Sequence, residues 1–413
     1  MRREAGDGMR YLKDKNIVLG VSGGIAAYKA AELLRLIKKQ EAKARVIMTA
    51  NAASFIGPLT FEALSGNPVC TSLFENGGNA SIKHIEWAKE ADAVVVAPAT
   101  ANIIGKIACG IADDALSTFL LAVTSPVLIC PSMNTNMYEK ISVQRNIDIL
   151  KKDGYLIVEP DAGELACGTT GQGRLSEPEY ILERLISCLT PKDFKGKRIL
   201  VTAGPTREHF DPVRYISNPS SGKMGYAVAR AAEQRGADVL LVSGPTNLRP
   251  PANVRIITTV SAGDMAAAVF DNAKDADIII KAAAVSDYRP KEAAKQKVKK
   301  GEEETMVLLN KSEDILLNLG KNKENRILVG FAAETENLEK NGREKLIRKN
   351  LDMIVGNLLD GKSSGFGTDT NRVVFFYRNG DKEQLPLMDK DMVAHVLLDR
   401  ILETGSRNLQ ERG

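Results

Sequence analysis

Two doubly wound α/β domains in tandem, each on a parallel sheet, are predicted by three observations. A strand–loop–helix opening occurs twice, over residues 16–40 and 198–235. Short β-rich runs recur in both halves with helix-like segments between them, the pattern of a parallel sheet covered on both faces. A polar stretch containing proline and glycine, 190–197, separates the halves, so the domains are taken as 1–190 and 191–413.

The first opening is the apolar run 16–21, the loop Ser22-Gly23-Gly24 and a helical stretch 25–40. Strands are then expected at 45–48, 93–97, 127–130 and 155–158. The second opening is 198–203, a long Gly/Ser/Pro loop and a helix over about 225–235. Its further strands are expected at 238–242, 277–282, 327–331, 353–355 and 373–377, with a helix-period segment at 389–402. In such folds ligands bind beyond the carboxyl ends of the strands. The two halves share architecture without a residue-level repeat.

A net charge of +4 from 56 basic and 52 acidic residues argues against a nucleic-acid protein. Cysteines 70, 109, 130, 167 and 188 are far apart, with no Cys-x-x-Cys pair and no histidine at ligand spacing, which argues against zinc. Their odd number fits a reducing cytoplasm. No apolar run reaches the ~18 residues that span a bilayer. Residues 1–8 read as a disordered extension, with Met9 an alternative start.

Four segments of the first half carry chemistry. Ser22-Gly23-Gly24-Ile25 lies where a strand meets a helix, a place that admits a phosphate, although a tight turn needs glycine for its own sake. Ala97-Pro98-Ala99-Thr100-Ala101-Asn102 follows a buried strand and suits either a flat cofactor or an ordinary capped turn. Pro131-Ser132-Met133-Asn134 leaves the same sheet edge, and the glycine-dense stretch 163–174 holds Cys167 and Arg174. His84 lies upstream on a segment read as helical. Singly, each fits a plain structural role; their joint order does not.

With these motifs, residues 15–190 closely resemble the flavin-containing cysteine decarboxylases, specifically the phosphopantothenoylcysteine decarboxylase domain. Tyr138 departs from a position where that family often has tryptophan. The resemblance implies FMN held by Ser22, Gly23, Gly24, Ile25, Thr49, Ala99, Thr100, Ala101, Asn102 and Ser132. Oxidation of the substrate thiol would create the electron sink that decarboxylation needs. His84 would assist proton removal, Asn134 would bind the carboxylate, and Cys167 would protonate the enethiolate.

In the second half, the interval between the strand 198–203 and Ser220-Ser221-Gly222-Lys223 is too long for a dinucleotide fingerprint and favours an anion site at a helix start. Asp287 follows a buried strand, where a carboxylate serves a ribose hydroxyl, a phosphate-bearing metal or a turn cap. Lysines 295, 297, 299 and 300 read as a solvated hairpin or as a flap over a triphosphate. Lys345 and Lys349 share one helix face.

Residues 197–400 resemble the phosphopantothenate–cysteine ligase domain. The motifs are Gly-Pro-Thr-Arg-Glu, Asp-Pro-Val-Arg-Tyr-Ile-Ser-Asn, Ala-Ala-Ala-Val-x-Asp-Tyr, Val-Gly-Phe-Ala-Ala-Glu-Thr and Ile-Arg-Lys-Asn-Leu-Asp. The fused order, decarboxylase first, matches the bifunctional enzymes of coenzyme A synthesis. This implies CTP with a divalent cation such as Mg2+, whose ligands are not assigned, and the substrates 4′-phosphopantothenate and cysteine. Asp287, Lys297, Ser312, Glu313, Asp314, Ile315, Phe331, Lys345 and Lys349 would bind CTP. Lys297, or Lys299 in another flap register, would serve acyl-cytidylate formation, and Asn218 its conversion by cysteine. Trimeric flavin domains and dimeric ligase domains, a homo-oligomer, are also implied, with no membrane or nucleic-acid partner. The rivals are a flavin or nicotinamide oxidoreductase, which leaves His84, Asn134 and Cys167 without a common purpose, and a non-catalytic flavin-fold regulatory protein.

Overall fold

A computed structural model describes residues 11–73, 80–164, 168, 170–299, 306–334, 338–358, 365 and 367–410. The chain clusters into two compact units, 9–190 and 191–413.

The first unit is a five-stranded sheet of β1 (Asn16–Val21), β2 (Lys43–Met48), β3 (Ala93–Ala99), β4 (Val127–Pro131) and β5 (Leu156–Ile157), ordered β2-β1-β3-β4-β5. Every pairing in it is parallel. Because successive side chains of a strand point to opposite faces, a strand buried on both sides must be apolar throughout. Accordingly Ala93, Val95 and Ala97 enter one core with Leu33, Leu34 and Ile37. Val94 and Val96 enter the other, with Ile103, Ile104 and Phe119. Fully burying one such large side chain is worth about 1.5–3 kcal/mol. On the helix Ala27–Lys39, Ala27, Ala30, Leu33, Leu34 and Ile37 form the buried stripe that a 3.6-residue period requires. A hairpin of β6 (Asp161–Glu164) and β7 (Thr170–Arg174) stands apart from the sheet.

The second unit opens with β8 (Arg198–Ala203). The long loop after it contains a small hairpin, β9 (Arg207–His209) and β10 (Tyr215–Ser217), before the helix Lys223–Gln234. Then follow β11 (Asp238–Ser243), β12 (Arg255–Thr258), β13 (Ile278–Lys281), β14 (Tyr288–Pro290), β15 (Leu309–Lys311), β16 (Ile327–Glu334), β17 (Met353–Leu358), β18 (Thr370–Asn371), β19 (Val373–Tyr377) and β20 (Lys382–Gln384). The main sheet is ordered β12-β11-β8-β13-β16-β17-β19-β20. Its strands are parallel as far as β17, whereas β19 and β20 run antiparallel. The expected parallel sheet is thus extended at one edge by an antiparallel pair. Between β19 and β20 a tight turn at Tyr377–Gly380 makes a hairpin, which only antiparallel strands can form. The strand β12 also exceeds what the sequence marked: its residues are partly exposed, so it lacks the apolar run of a central strand.

Candidate functional site

In the first unit the strand order reverses between β1 and β3, which is where a doubly wound sheet opens a crevice. Ser22 follows β1, Thr49 follows β2, Thr100 follows β3 and Ser132 follows β4, so one sheet edge collects all four. Buried Ser22 binds the β1 and β3 ends together: its hydroxyl donates to the Pro98 carbonyl at 2.7 Å and accepts from the Thr100 N–H at 2.9 Å. Thr49 caps the short helix Ala50–Ala53 and Thr100 caps Ala101–Cys109, so the latter loop is also a capped turn. Asn102 lies inside that helix.

The two loop glycines have different reasons. A Cβ on Gly23 would lie 2.4 Å from that of Asn51, so here the loop itself demands glycine. A Cβ on Gly24 would meet only Thr100, at 3.6 Å. The helix after the loop starts at Ala26 without a side-chain cap, and Ile25 stands 61% exposed beside it. The Ala27 and Lys29 N–H groups are engaged by the Gly24 and Ala26 carbonyls, so the glycine loop, the Thr49 and Thr100 hydroxyls and an exposed apolar side chain form the set that fits a phosphorylated, flat aromatic group.

On the loop after β4, the Asn134 side-chain oxygen accepts from the Asn136 N–H at 2.9 Å, capping Thr135–Tyr138. The hairpin is docked here, since the Met133 N–H donates to the Gly173 carbonyl at 2.9 Å. Gly173 has φ 139°, and a Cβ on it would fall 2.2 Å from the Met133 carbonyl oxygen. Cys167 belongs to the stretch joining β6 to β7 and lies outside the described residues. His84 lies on the helix Ala80–Glu90, with its side chain outside the described set.

In the second unit the order reverses between β8 and β13. The loops leaving these strands are laced together. Asn218 Nδ2 donates to the Ala284 carbonyl at 3.0 Å, the Ala284 N–H donates to the Gly204 carbonyl at 2.9 Å, and the Ser286 N–H donates to Thr206 Oγ1 at 3.1 Å. Asn218 is thereby held over the end of β13. Asp287 is exposed, and its carbonyl accepts from the Ser312 N–H at 2.8 Å. Ser312 Oγ is buried with no partner among the described residues.

Asp314 caps the helix Ile315–Lys321 and pairs with Lys349 at 2.8 Å. Burial opposes ionisation of Asp314, but the Lys349 ammonium and the Leu317 N–H outweigh it and hold the carboxyl below its ordinary value. Glu313 is exposed and accepts from Asn318, while Ile315 is buried in the core beneath. Phe331 is part-buried on β16, and Lys345 lies on the helix Leu338–Arg348, one turn before Lys349.

Lys297 and Lys299 flank a firm anchor. The Val298 N–H donates to Asp211 at 3.2 Å, and the Val298 carbonyl accepts from Arg214 at 2.9 Å. Buried Asp211 also accepts from the Val213 and Arg214 N–H groups and the Arg214 guanidinium. Burial opposes its ionisation, but these donors prevail and keep its carboxyl well below the usual carboxylate range. The lysine segment is thus tied to the Asp211–Arg214 loop, with Lys297 and Lys299 both exposed.

One residue of this edge escaped the sequence reading. Lys281 ends β13 after three isoleucines and pairs in register with Thr202 and Gly330. Burial, joined by repulsion from Lys349 and Lys345, lowers the pKa of its ammonium to about 8 against the attraction of Asp314 and Asp287. The available signal was a single cation closing an otherwise apolar strand.

Comparison with known proteins agrees with this geometry. A flavoprotein family matches residues 8–190, and the DNA/pantothenate metabolism flavoprotein C-terminal domain family matches 194–404. The coenzyme A biosynthesis bifunctional protein CoaBC of Bacillus subtilis is 47% identical over 405 residues, covering 96% of this chain and 100% of its own length. Its counterpart in Escherichia coli K12 is 46% identical over 397 residues, covering 95% and 97%. The chain belongs to this family. Among the described residues no helix is long and apolar enough to cross a membrane.

Proposed function

We propose that the second unit joins 4′-phosphopantothenate to cysteine with CTP, and that the first decarboxylates the resulting 4′-phosphopantothenoylcysteine to 4′-phosphopantetheine. Membership of the family makes the chain a bifunctional enzyme of coenzyme A biosynthesis with decarboxylase and ligase activities. The observation supporting the finer reading is that the loops after β1, β2, β3 and β4 in the first unit, and those after β8 and β13 in the second, lie at the carboxyl edge beside the strand-order reversal.

In the first unit FMN would be held by the loop after β1 and by Thr49, Thr100 and Ser132. When bound it supplies a two-electron oxidant for the substrate thiol and returns those electrons later. The chain's own residues do the rest. His84 accepts a proton during thiol oxidation. Asn134, at the start of the short helix after β4, binds the substrate carboxylate. Cys167, between β6 and β7 of the hairpin in sequence, delivers a proton to the enethiolate left by loss of carbon dioxide.

In the second unit the carboxylate of 4′-phosphopantothenate attacks the α-phosphate of CTP, releasing pyrophosphate, and the amine of cysteine then displaces CMP. Negative charge develops on phosphate oxygens in the first step, so Lys345, Lys349 and the lysines around Val298 supply stabilisation. Buried Ser312 offers an unspent hydroxyl to the nucleotide, Asp287 and Asp314 line its approach, and Mg2+ accompanies the triphosphate. Asn218 orients the acyl-cytidylate for cysteine. Incubating the protein with 4′-phosphopantothenate, cysteine, CTP and magnesium and weighing the products tests the whole reading. It predicts CMP, pyrophosphate, carbon dioxide and 4′-phosphopantetheine; intact CTP with both acid and amine present refutes the ligase half.

A further inference from the structure

Buried cations are rare in proteins unless paired, because an ammonium group removed from water loses much of its hydration. Lys281 is part-buried at the end of its strand and yet stands unpaired among the described residues. It ends the central strand β13, flanked by β8 and β16 at the point where the strand order reverses. No described residue accepts a hydrogen bond from its ammonium, and none forms an ion pair with it within 4.0 Å. Four charged groups bear on it: Asp287 from the loop after β13, Asp314 from the cap of Ile315–Lys321, and Lys345 and Lys349 from the following helical segment. Asp314 is already neutralised by Lys349. The acid that attracts Lys281 most strongly is therefore already engaged by another lysine.

We propose that Lys281 is a further nucleotide-binding residue, whose ammonium donates to the triphosphate of the activating nucleotide alongside Lys345 and Lys349. This rests on the ligase reading above and deepens it by adding a residue that none of the sequence motifs marked. Two consequences follow. Without nucleotide, burial and two neighbouring lysines hold Lys281 at a pKa of about 8, so near that pH a large share of molecules carry it neutral. A triphosphate brought against it favours the charged form, so binding draws a proton from solution.

The test is titration calorimetry of the full-length protein with CTP and magnesium at pH 8, in two buffers of different ionisation enthalpy, on the unaltered chain, Lys281→Met and Lys281→Arg. The unaltered chain should take up about half a proton per nucleotide. Lys281→Met should lose that uptake and bind CTP roughly tenfold more weakly. In pyrophosphate release it should raise KM for CTP more than it lowers kcat. Lys281→Arg should restore much of the affinity without the proton uptake, since arginine stays charged. A purely structural role predicts instead a lower unfolding midpoint for Lys281→Met with affinity and proton uptake intact, and that result overturns the proposal. If Lys281→Met binds CTP as the unaltered chain does, the Lys281 assignment alone falls. If the unaltered chain binds no CTP, the ligase reading falls with it.

Discussion

Gly173→Ala gives the sharpest view of how the decarboxylase half is built. The added Cβ would fall 2.2 Å from the Met133 carbonyl oxygen, a backbone atom that cannot rotate away, and φ at this position is 139°. Two costs combine. A residue with a Cβ at positive φ is strained by roughly 1–3 kcal/mol. Relief of the clash requires parting β7 from the loop after β4, which breaks the Met133 N–H to Gly173 carbonyl bond, worth about 0.5–1.5 kcal/mol net. Together they come to about 1.5–4.5 kcal/mol, or a roughly 10- to 2000-fold smaller population of the docked hairpin at 1.36 kcal/mol per tenfold. The contacts among Ser22, Pro98 and Thr100 lie on other loops, so FMN retention should survive. The displaced element is the one leading to Cys167. Gly173→Ala should therefore resemble Cys167→Ser: carbon dioxide still forms, while the oxidised enethiol accumulates in place of 4′-phosphopantetheine. Flavin absorbance of the purified variant, with product masses from a single incubation, decides the matter. A normal yield of 4′-phosphopantetheine from a flavin-loaded Gly173→Ala protein would refute the docking argument.

Three further outcomes follow from the second unit. Asn218→Asp replaces the donor to the Ala284 carbonyl with an acceptor, so pyrophosphate should still form while amide formation collapses; parallel loss of both products removes Asn218 from the second step. Asp211→Asn weakens the anchor on Val298 and should raise KM for CTP in pyrophosphate release, an effect absent if the lysine segment is merely solvated. Asp314 has a folded-state pKa below its unfolded value, so its stabilising contribution is complete above the ordinary carboxylate value of about 3.9 and fades as pH falls through the folded one. Asp314→Asn should therefore unfold at lower urea than the unaltered chain at pH 7. The difference should shrink on acidification below pH ~4, and a gap that stays constant contradicts the pairing with Lys349.

The sequence by itself determined the elements that are apolar on a local period. Strands such as Ala93–Ala99 and Val127–Pro131, and the stripe on Ala27–Lys39, were legible because burial on one face or both leaves a pattern within a few residues. The motif loops were legible for the same reason, each falling directly after an apolar run. What only tertiary structure decided were meetings between distant residues. Gly23 is required by Asn51, which reaches it only because β2 lies beside β1. Asp211 binds Val298 across 87 residues and so fixes where the lysine segment is held. The antiparallel edge of β19 and β20 depends on how the chain returns, and their apolar alternation does not encode direction. Lys281 looked like the polar end of a strand; its solitude emerged only when β8, β16 and the segments bearing Asp314 and Lys349 closed around it. Periodicity is a property of neighbours along the chain, whereas desolvation and charge pairing are set by neighbours in space.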